Sequence, residues 1–553
     1  MTTAAPAANR WLWGPVPDLV LGCGLGYMAV FAALVLGGPE IRAVVPLGLL
    51  PLVSVFCGTP HYGATLLRVY EQRSERRAYA VFTVYLTAVV WAGFVAGLYH
   101  VAIGSFLLSL YLTWSPWHYT GQNYGVALLF LRRRGVEVTP EVKRLIWLSF
   151  VLSYFLTFLA IHGVAHSADY APLDYAGALY HNVRLGIPSP WWERVFGVLG
   201  VAYLGVLTAA GRLLLARARP RDLVPSALVA GTQFLWFSLP PLGRELGLLR
   251  GVDPFKPDLA SFVFIWVAAG HALQYLWVTS YYAGKRTRGE RWAYYTKCVF
   301  AGSAIWSLPV IAYVAWRGAV GQRLGGVASG EEAGVLLAAI VNIHHFMLDG
   351  AIWKLRDGRV ARALIRRDLG IAPSAALDAP RRHWLEPVLL GAGALWTFST
   401  IASVVEHNRV FSPALARGDL VAAEASLDRL SWIRRAGIGD YQRLSAQAAS
   451  AGDAERALRV LDLAVARLRE PASWLAKAEF LEQHGDASAA AEACEAGLRA
   501  DPSDAALLYR LGRLRLDQGR VGEAQALLAR AHAAAPDDKR VELTLERART
   551  SAP

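Results

Sequence analysis

The sequence predicts an all-α protein in which a polytopic bundle of membrane-spanning helices precedes a soluble α-solenoid of paired helices. Of the 553 residues, 55% are hydrophobic and only 18% are charged, a low charged fraction for a soluble protein of this length. The apolar residues fall in long blocks that are separated by basic connections. From residue 411 onward the composition changes to one rich in Ala, Leu, Arg and Glu.

The apolar blocks define the first domain. About eleven of them are long enough to cross a hydrocarbon core of ~30 Å at ~1.5 Å per helical residue. They lie near 18–37, 43–67, 79–98, 101–130, 143–163, 193–216, 223–240, 258–282, 297–316, 332–352 and 386–405. This organisation predicts an integral membrane domain over 1–406 and a helical repeat domain over 411–545.

Basic residues concentrate in every second connection between the blocks, as in Arg132, Arg133 and Arg134 after the fourth block. Since such connections stay in the cytoplasm, the pattern predicts a multi-pass protein of the inner (plasma) membrane with a cytoplasmic N-terminus. After an odd number of spans, the C-terminal repeats are extracytoplasmic. The net charge of +13 arises largely from these connections and does not indicate a nucleic-acid partner. Four scattered cysteines without a CxxC pair predict neither a disulfide framework nor a thiolate metal site.

The C-terminal region contains an internal repeat. Its glycines are spaced 34, 33 and 34 residues apart, at Gly418, Gly452, Gly485 and Gly519. An alanine follows each glycine by five residues, at Ala423, Ala457, Ala490 and Ala524. The pattern resembles the tetratricopeptide repeat (TPR), a helix–turn–helix unit of about 34 residues, over roughly 411–540. The resemblance implies a concave, protein-binding solenoid without specifying the partner.

Five histidines lie within the apolar blocks: His61, His118, His271, His344 and His345. Ionisable side chains inside a membrane are costly and mark functional sites. The predicted topology places all five toward the cytoplasmic side, so they are candidate ligands of one intramembrane metal. Imidazoles with a carboxylate suit iron, copper or zinc. Iron is the preferred cofactor, with copper, zinc or haem as alternatives, and a hydrogen-bonded polar network explains the histidines without a metal.

The helix of His344 and His345 also carries an acidic candidate. Asn342, His345 and Asp349 share one helical face, and Asp349 is predicted as a ligand or a catalytic base. His344 and His345 point about 100° apart, so both can bind one ion only if it lies between their directions.

Two glutamines accompany the other histidines. Gln122 lies four residues after His118, and Gln274 lies three after His271. Amides at this spacing can orient a ligating imidazole through its second nitrogen. A second polar group is predicted toward the opposite side of the membrane, where metal ligands and solvated loop residues are both open interpretations. It comprises His100, His162, His166, Asp169, Asp174 and His181.

These features predict an integral-membrane, metal-dependent oxidoreductase of the oxygenase, desaturase or hydroxylase type. Its partners are the lipid bilayer, a hydrophobic or lipid substrate, and a protein bound by the repeats. The resemblance to membrane desaturases is architectural, because the sequence lacks a His-x2-His-His box and its one His-x3-His pair is His162 and His166. A non-enzymatic scaffold that presents the repeats to envelope partners, or a transporter, is the alternative, and whether the protein is an enzyme stays open from sequence.

Overall fold

Every regular element that the computed structural model describes is a helix, which confirms the all-α prediction. The structure describes residues 10–36, 50–70, 79–163, 179–246, 257–284, 291–320, 327–328, 330–352, 385–535 and 538–550. The chain divides into two compact units, 1–397 and 398–553. The predicted domain boundary, between 406 and 411, lies beyond this division, along the same run of helix.

The described part of the first unit consists mainly of apolar helices, most of them long. In chain order they are α1 (Leu25–Leu36), α2 (Thr59–Tyr70), α3 (Thr87–Tyr99), α4 (Val101–Arg133), α5 (Pro140–His162), α6 (Ser189–Leu215), α7 (Pro220–Gln233), α8 (Leu239–Glu245), α9 (Pro257–Gly284), α10 (Arg291–Val320), α11 (Gly330–Ile352) and α12 (Leu385–Glu406), which ends in the second unit. Wider π-helical turns precede or join several of them, namely Asp18–Gly22, Ser54–Gly58, Val81–Leu86, Phe234–Ser238 and His407–Phe411.

Several of these helices could cross a membrane. Within the described ranges, seven segments are long and apolar enough: Val81–Tyr99, Pro140–His162, Ser189–Leu215, Pro220–Gly243, Trp292–Val320, Glu332–Ile352 and Leu385–Ala416. An eighth is added if Pro15–Gly22 and Leu25–Ala33, which meet at an angle of 57°, form one broken span. The count of about eleven spans and their orientation in the membrane stay predictions.

Helices α2 and α10 approach so closely that glycine is required at their contact. A Cβ atom on Gly63 of α2 would lie 1.9 Å from the carbonyl oxygen of Cys298. A Cβ atom on Gly302 of α10 would lie 1.8 Å from the carbonyl oxygen of Thr59. The two glycines therefore let the backbones touch, and this contact fixes the start of α2.

A buried carboxylate ties the N-terminal segment to α9. Asp18 is fully buried and accepts the backbone N–H groups of Leu12 at 2.6 Å and Trp13 at 3.1 Å. It also accepts the indole N–H of Trp277 at 2.9 Å. A buried carboxylate is stable only when its oxygens are bonded, and the Trp277 bond therefore holds α9 against the N-terminal segment.

The second unit consists of short helices joined by tight turns. They are α13 (Leu420–Trp432), α14 (Ile438–Ser450), α15 (Ala454–Leu468), α16 (Pro471–Gln483), α17 (Ala487–Ala500), α18 (Ala505–Asp517), α19 (Val521–Ala534) and α20 (Lys539–Thr550). Each helix packs against the next one along the chain. The four repeat alanines are fully buried at these contacts, as their small size predicts: Ala423, Ala457, Ala490 and Ala524.

The repeat glycines open the turns with positive φ, between 72° and 84°. Only glycine adopts this backbone conformation without strain. An aspartate follows three of the glycines and accepts the backbone N–H three residues further on, as Asp419 does from Ala422 at 3.0 Å. These side chains cap the helices that follow. Arg520 follows the fourth glycine and makes no side-chain cap.

Candidate metal centre

Four helices of the first unit bring four histidines together. His61 comes from α2, His118 from α4, His271 from α9 and His345 from α11. One nitrogen from each ring lies within 4.8 Å of the corresponding nitrogen of every other ring. We call these four residues the histidine cluster. Among the residues that the structure describes, no other group of histidine, cysteine and acidic side chains converges in this way.

The rings of the cluster pack edge to face around a common centre. The ring of His61 lies 4.1 Å from that of His345 and 4.9 Å from that of His271, centroid to centroid. The ring of His118 lies 5.0 Å from His271 and 5.1 Å from His345. Three of the residues are at most 3% exposed. The His118 side chain is 9% exposed and is therefore the most accessible of the four.

At least one nitrogen of each ring in the cluster lacks a hydrogen-bond partner. The Nε2 atoms of all four histidines, and Nδ1 of His271, are buried without a partner. A buried polar nitrogen without a partner costs about 1–3 kcal/mol, so four in one place need an explanation. A metal ion that accepts the four lone pairs supplies one. Because metal–imidazole bonds are about 2.1 Å long, two nitrogens on one ion are at most about 4.2 Å apart. Small ring movements from the observed spacing are sufficient.

The carboxylate of Asp349 lies beside the cluster. Its Oδ2 atom is 3.8 Å from Nε2 of His118 and 4.0 Å from Nε2 of His345. Its Oδ1 atom accepts hydrogen bonds from the Tyr275 phenol at 2.5 Å and from the Thr65 hydroxyl at 3.3 Å. One oxygen is thus held by hydroxyl groups, and the other faces the imidazoles.

Sequence reasoning missed Thr65 and Tyr275. The Thr65 hydroxyl lies 2.5 Å from the Tyr275 phenol and 3.1 Å from Nδ1 of His345. Helical spacing could have indicated both residues, because Thr65 lies four residues after His61 and Tyr275 lies four after His271. Residues at this spacing share a helix face.

The structure places His344 outside the histidine cluster. Its Nε2 atom lies 3.0 Å from the Thr87 hydroxyl and 3.4 Å from the Tyr70 hydroxyl. Its ring faces Trp91 at a centroid distance of 6.3 Å. Since adjacent helical residues point about 100° apart, His345 faces the cluster while His344 faces α3. Four of the five predicted histidines are therefore brought together.

The predicted orienting amides bond to other groups. Gln122 donates to the Gln274 side chain at 2.5 Å and to the backbone carbonyl of His271 at 3.2 Å. Gln274 donates to the Gly22 carbonyl at 2.9 Å. These bonds join α4, α9 and the N-terminal segment. They position the backbone of His271 rather than its ring.

Asn342 also acts on the imidazoles indirectly, through Tyr62. Its Oδ1 atom accepts the Tyr62 hydroxyl at 2.8 Å, and its amide donates to the Ala338 carbonyl at 2.8 Å. The Tyr62 ring packs against His61 at 4.8 Å between centroids. Asn342 thereby holds an aromatic wall of the site.

The second predicted polar group does not converge among the described residues. His162 has a partner at each ring nitrogen: the Thr113 hydroxyl lies 3.0 Å from Nε2, and the Leu185 N–H donates to Nδ1 at 3.4 Å. These contacts favour a structural role for His162. His166, Asp169 and Asp174 lie outside the described residues.

Comparison with known proteins bears on the C-terminal region. The tetratricopeptide repeat family matches residues 481–547, which confirms TPR repeats there and identifies a protein-interaction domain. No curated protein matches the chain.

Proposed function

We propose that the protein is an integral-membrane, metal-dependent oxidoreductase of the oxygenase, desaturase or hydroxylase type that acts on a hydrophobic or lipid substrate. The observation that carries the proposal is the convergence of four buried imidazoles whose Nε2 atoms lack hydrogen-bond partners. A bundle that needed only packing would satisfy these nitrogens with its own hydroxyl and carbonyl groups, as it does at His162.

The donor set favours a divalent transition metal. Four neutral imidazoles and one carboxylate suit iron, copper or zinc, and we propose iron because it supports oxidative chemistry on unactivated carbon. Haem fits less well, since four nitrogens within 4.8 Å leave no space for a macrocycle between them. When bound, the iron would supply oxidation of a C–H bond, with dioxygen as the oxidant and electrons from a redox protein.

Within this proposal the protein groups around the histidine cluster orient ligands and hold protons. Asp349 is the ligand or base whose Oδ2 atom faces His118 and His345. Tyr275 and Thr65 donate to its other oxygen and keep the carboxylate from rotating. Burial of Asp349, at 7% exposure, excludes bulk water from this side of the site.

The substrate reaches the site from the lipid, beside His118. Gly121 and Gly125 follow His118 by three and seven residues, so they share its helical face. A Cβ atom at either glycine would meet nothing within 4 Å. The face of α4 that carries Gly121 and Gly125, which we call the bare face, therefore leaves open space along the helix. The exposed Trp117 lies beside this face. A path through apolar surroundings selects a hydrophobic molecule.

The repeat domain has a recruiting role in this proposal. It would bind an envelope protein that supplies electrons or substrate, from the extracytoplasmic side of the inner membrane. A non-enzymatic scaffold is the second candidate, and the observation that favours it is the TPR match itself. The two functions differ in whether the histidine cluster binds a redox-active metal.

Metal analysis of the purified full-length protein tests the proposal. We expect one iron per chain, with an optical or paramagnetic signature that is lost in His271→Gln. His344→Gln is the matched control, because His344 is equally buried but lies outside the cluster. A folded protein that binds no iron, copper or zinc after reconstitution would contradict the proposal and leave the scaffold.

A further inference from the structure

The second unit begins with a helical hairpin that folds back along α12. Helix α12 continues through His407–Phe411 and Ser412–Ala416, and the chain then reverses at Gly418 into α13. Glu406, at the end of α12, accepts hydrogen bonds from Arg429 at 2.7 Å and Ser426 at 2.6 Å. The C-terminal end of α13 therefore lies beside the last turns of α12.

The segment after α13 reaches further along α12. Arg435 donates from Nη2 to the Thr400 hydroxyl at 2.6 Å and to the Ser399 hydroxyl at 2.9 Å. Ser399 and Thr400 precede Glu406 by seven and six residues. At about 1.5 Å per residue, Arg435 is bonded to α12 about 10 Å before the position of Glu406.

The position of Arg435 matters because α12 is only just long enough to span a membrane. Nineteen uncharged residues separate Glu386 from Glu406. At about 1.5 Å each they extend about 28 Å, close to the ~30 Å of a hydrocarbon core. If α12 crosses the membrane between these two glutamates, Ser399 and Thr400 lie about 10 Å inside the boundary that Glu406 marks. A segment bonded to them must pass that boundary too.

The composition of this segment suits a membrane interface. Trp432 is 86% exposed although it belongs to the repeat domain. Ile433 is partly exposed, and Arg434 is exposed. Tryptophan concentrates at headgroup level, and arginine extends its guanidinium toward lipid phosphates. On α12 itself, Phe398 is 61% exposed, so the helix also presents an apolar side chain beside Ser399.

We propose that residues 432–437, which we call the interfacial loop, insert past the headgroups and into the outer acyl chains of the bilayer that α12 spans. Trp432 and Ile433 contact the acyl chains, and Arg434 extends its guanidinium toward lipid phosphate. The occupant of this surface is phospholipid rather than protein, because the loop is held at the depth of α12 by Arg435. The proposal depends on α12 being a span and is independent of any metal.

Depth-dependent quenching in nanodiscs of zwitterionic and anionic phospholipid tests the proposal. The full chain carries Cys57→Ala, which removes the one partly exposed cysteine among the four, together with Trp432→Cys labelled with an environment-sensitive fluorophore. Leu543→Cys is the matched control, since Leu543 is a 65% exposed hydrophobic residue on α20. We expect nitroxide lipids to quench the label at 432 several-fold more than the label at 543, and iodide to show the reverse order.

A second label position tests whether the quenching depends on the substitution of Trp432 alone. Arg434→Cys is expected to behave like Trp432→Cys, because both side chains project from the interfacial loop. Equal lipid quenching at 432 and 543 would overturn the proposal. Protection from iodide without lipid quenching would overturn it as well, because the loop would then be covered by protein.

Discussion

Tyr275 donates a hydrogen bond of 2.5 Å to Asp349, and it does so four residues along α9 from His271. The second oxygen of the same carboxylate, Oδ2, lies 3.8 Å from Nε2 of His118. One helix therefore supplies both a cluster histidine and the phenol that orients the acidic group. A rotation of α9 would disturb the imidazole and the carboxylate together.

Replacing Asp349 is expected to weaken metal binding. Asp349→Asn keeps the size of the side chain and removes its charge, so the loss of a ligand or of an orienting group should lower affinity by about 10–100-fold. Tyr275→Phe keeps the ring contact with His61, at 4.6 Å between centroids, and should lower affinity less. Competition with a chelator of known affinity measures both. Wild-type affinity in Asp349→Asn would show that the carboxylate does not act on the ion.

A methyl group between α2 and α10 is expected to separate these helices. In Gly302→Ala the new Cβ would lie 1.8 Å from the Thr59 carbonyl oxygen, so the backbones must move apart. Overpacking of this kind costs about 1–3 kcal/mol. Because His61 lies two residues after Thr59, the movement should also loosen the histidine cluster. We expect a lower melting temperature and a reduced metal content.

Gly318→Ala is the control on the same helix. A Cβ atom at Gly318 meets nothing within 4 Å, and alanine raises helix stability by about 0.5–1 kcal/mol over glycine. The melting temperature of Gly318→Ala should therefore equal or exceed that of the wild type. Similar losses in the two variants would show that the α2–α10 contact has no special role.

The sequence predicted which residue types recur, and at what spacing, better than it predicted the direction in which each side chain points. The glycine and alanine spacing located the turns and contacts of the repeats, because each role permits very few side chains. Four cluster histidines followed from the cost of burying them in apolar blocks. His344 was misplaced because its direction depends on how α11 is rotated, which the sequence does not encode locally. Thr65 is not ionisable, so the cost of burying a charge did not select it, and its spacing of four residues from His61 was the signal available.

A bulky side chain on the bare face of α4 is expected to block access to the site. Gly121→Trp should slow the removal of metal by an apolar chelator such as phenanthroline, since the indole fills the path beside His118. Gly205→Trp is the control, because Gly205 also meets nothing within 4 Å and lies on α6, which carries none of the cluster. The rate of metal loss in nanodiscs is the measurement. Equal rates would place the entry elsewhere.

The hydrogen bonds of Asp440 predict an acid-sensitive start to the repeat domain. Its carboxylate accepts from the Gly437 amide at 3.0 Å and from Arg443 at 2.6 Å, and lies 3.1 Å from Nε2 of His407. Burial alone raises the pKa of Asp440, but the bonds from His407, Gly437 and Arg443 outweigh burial and hold the pKa below the ordinary value of 3.8. The folded state therefore favours the charged form.

A depressed pKa gives stability that is present above the unfolded pKa, about 3.9, and is lost as the pH falls through the lower folded value. Asp440→Asn should therefore reduce the hydrogen-exchange protection of α14 at pH 7. Because only the wild type carries the negative charge that faces His407, the difference should grow as His407 gains a proton on acidification. It should then shrink below about pH 4, as Asp440 gains a proton itself. A difference that persists unchanged into acid would mean that Asp440 contributes through shape and not through its charge.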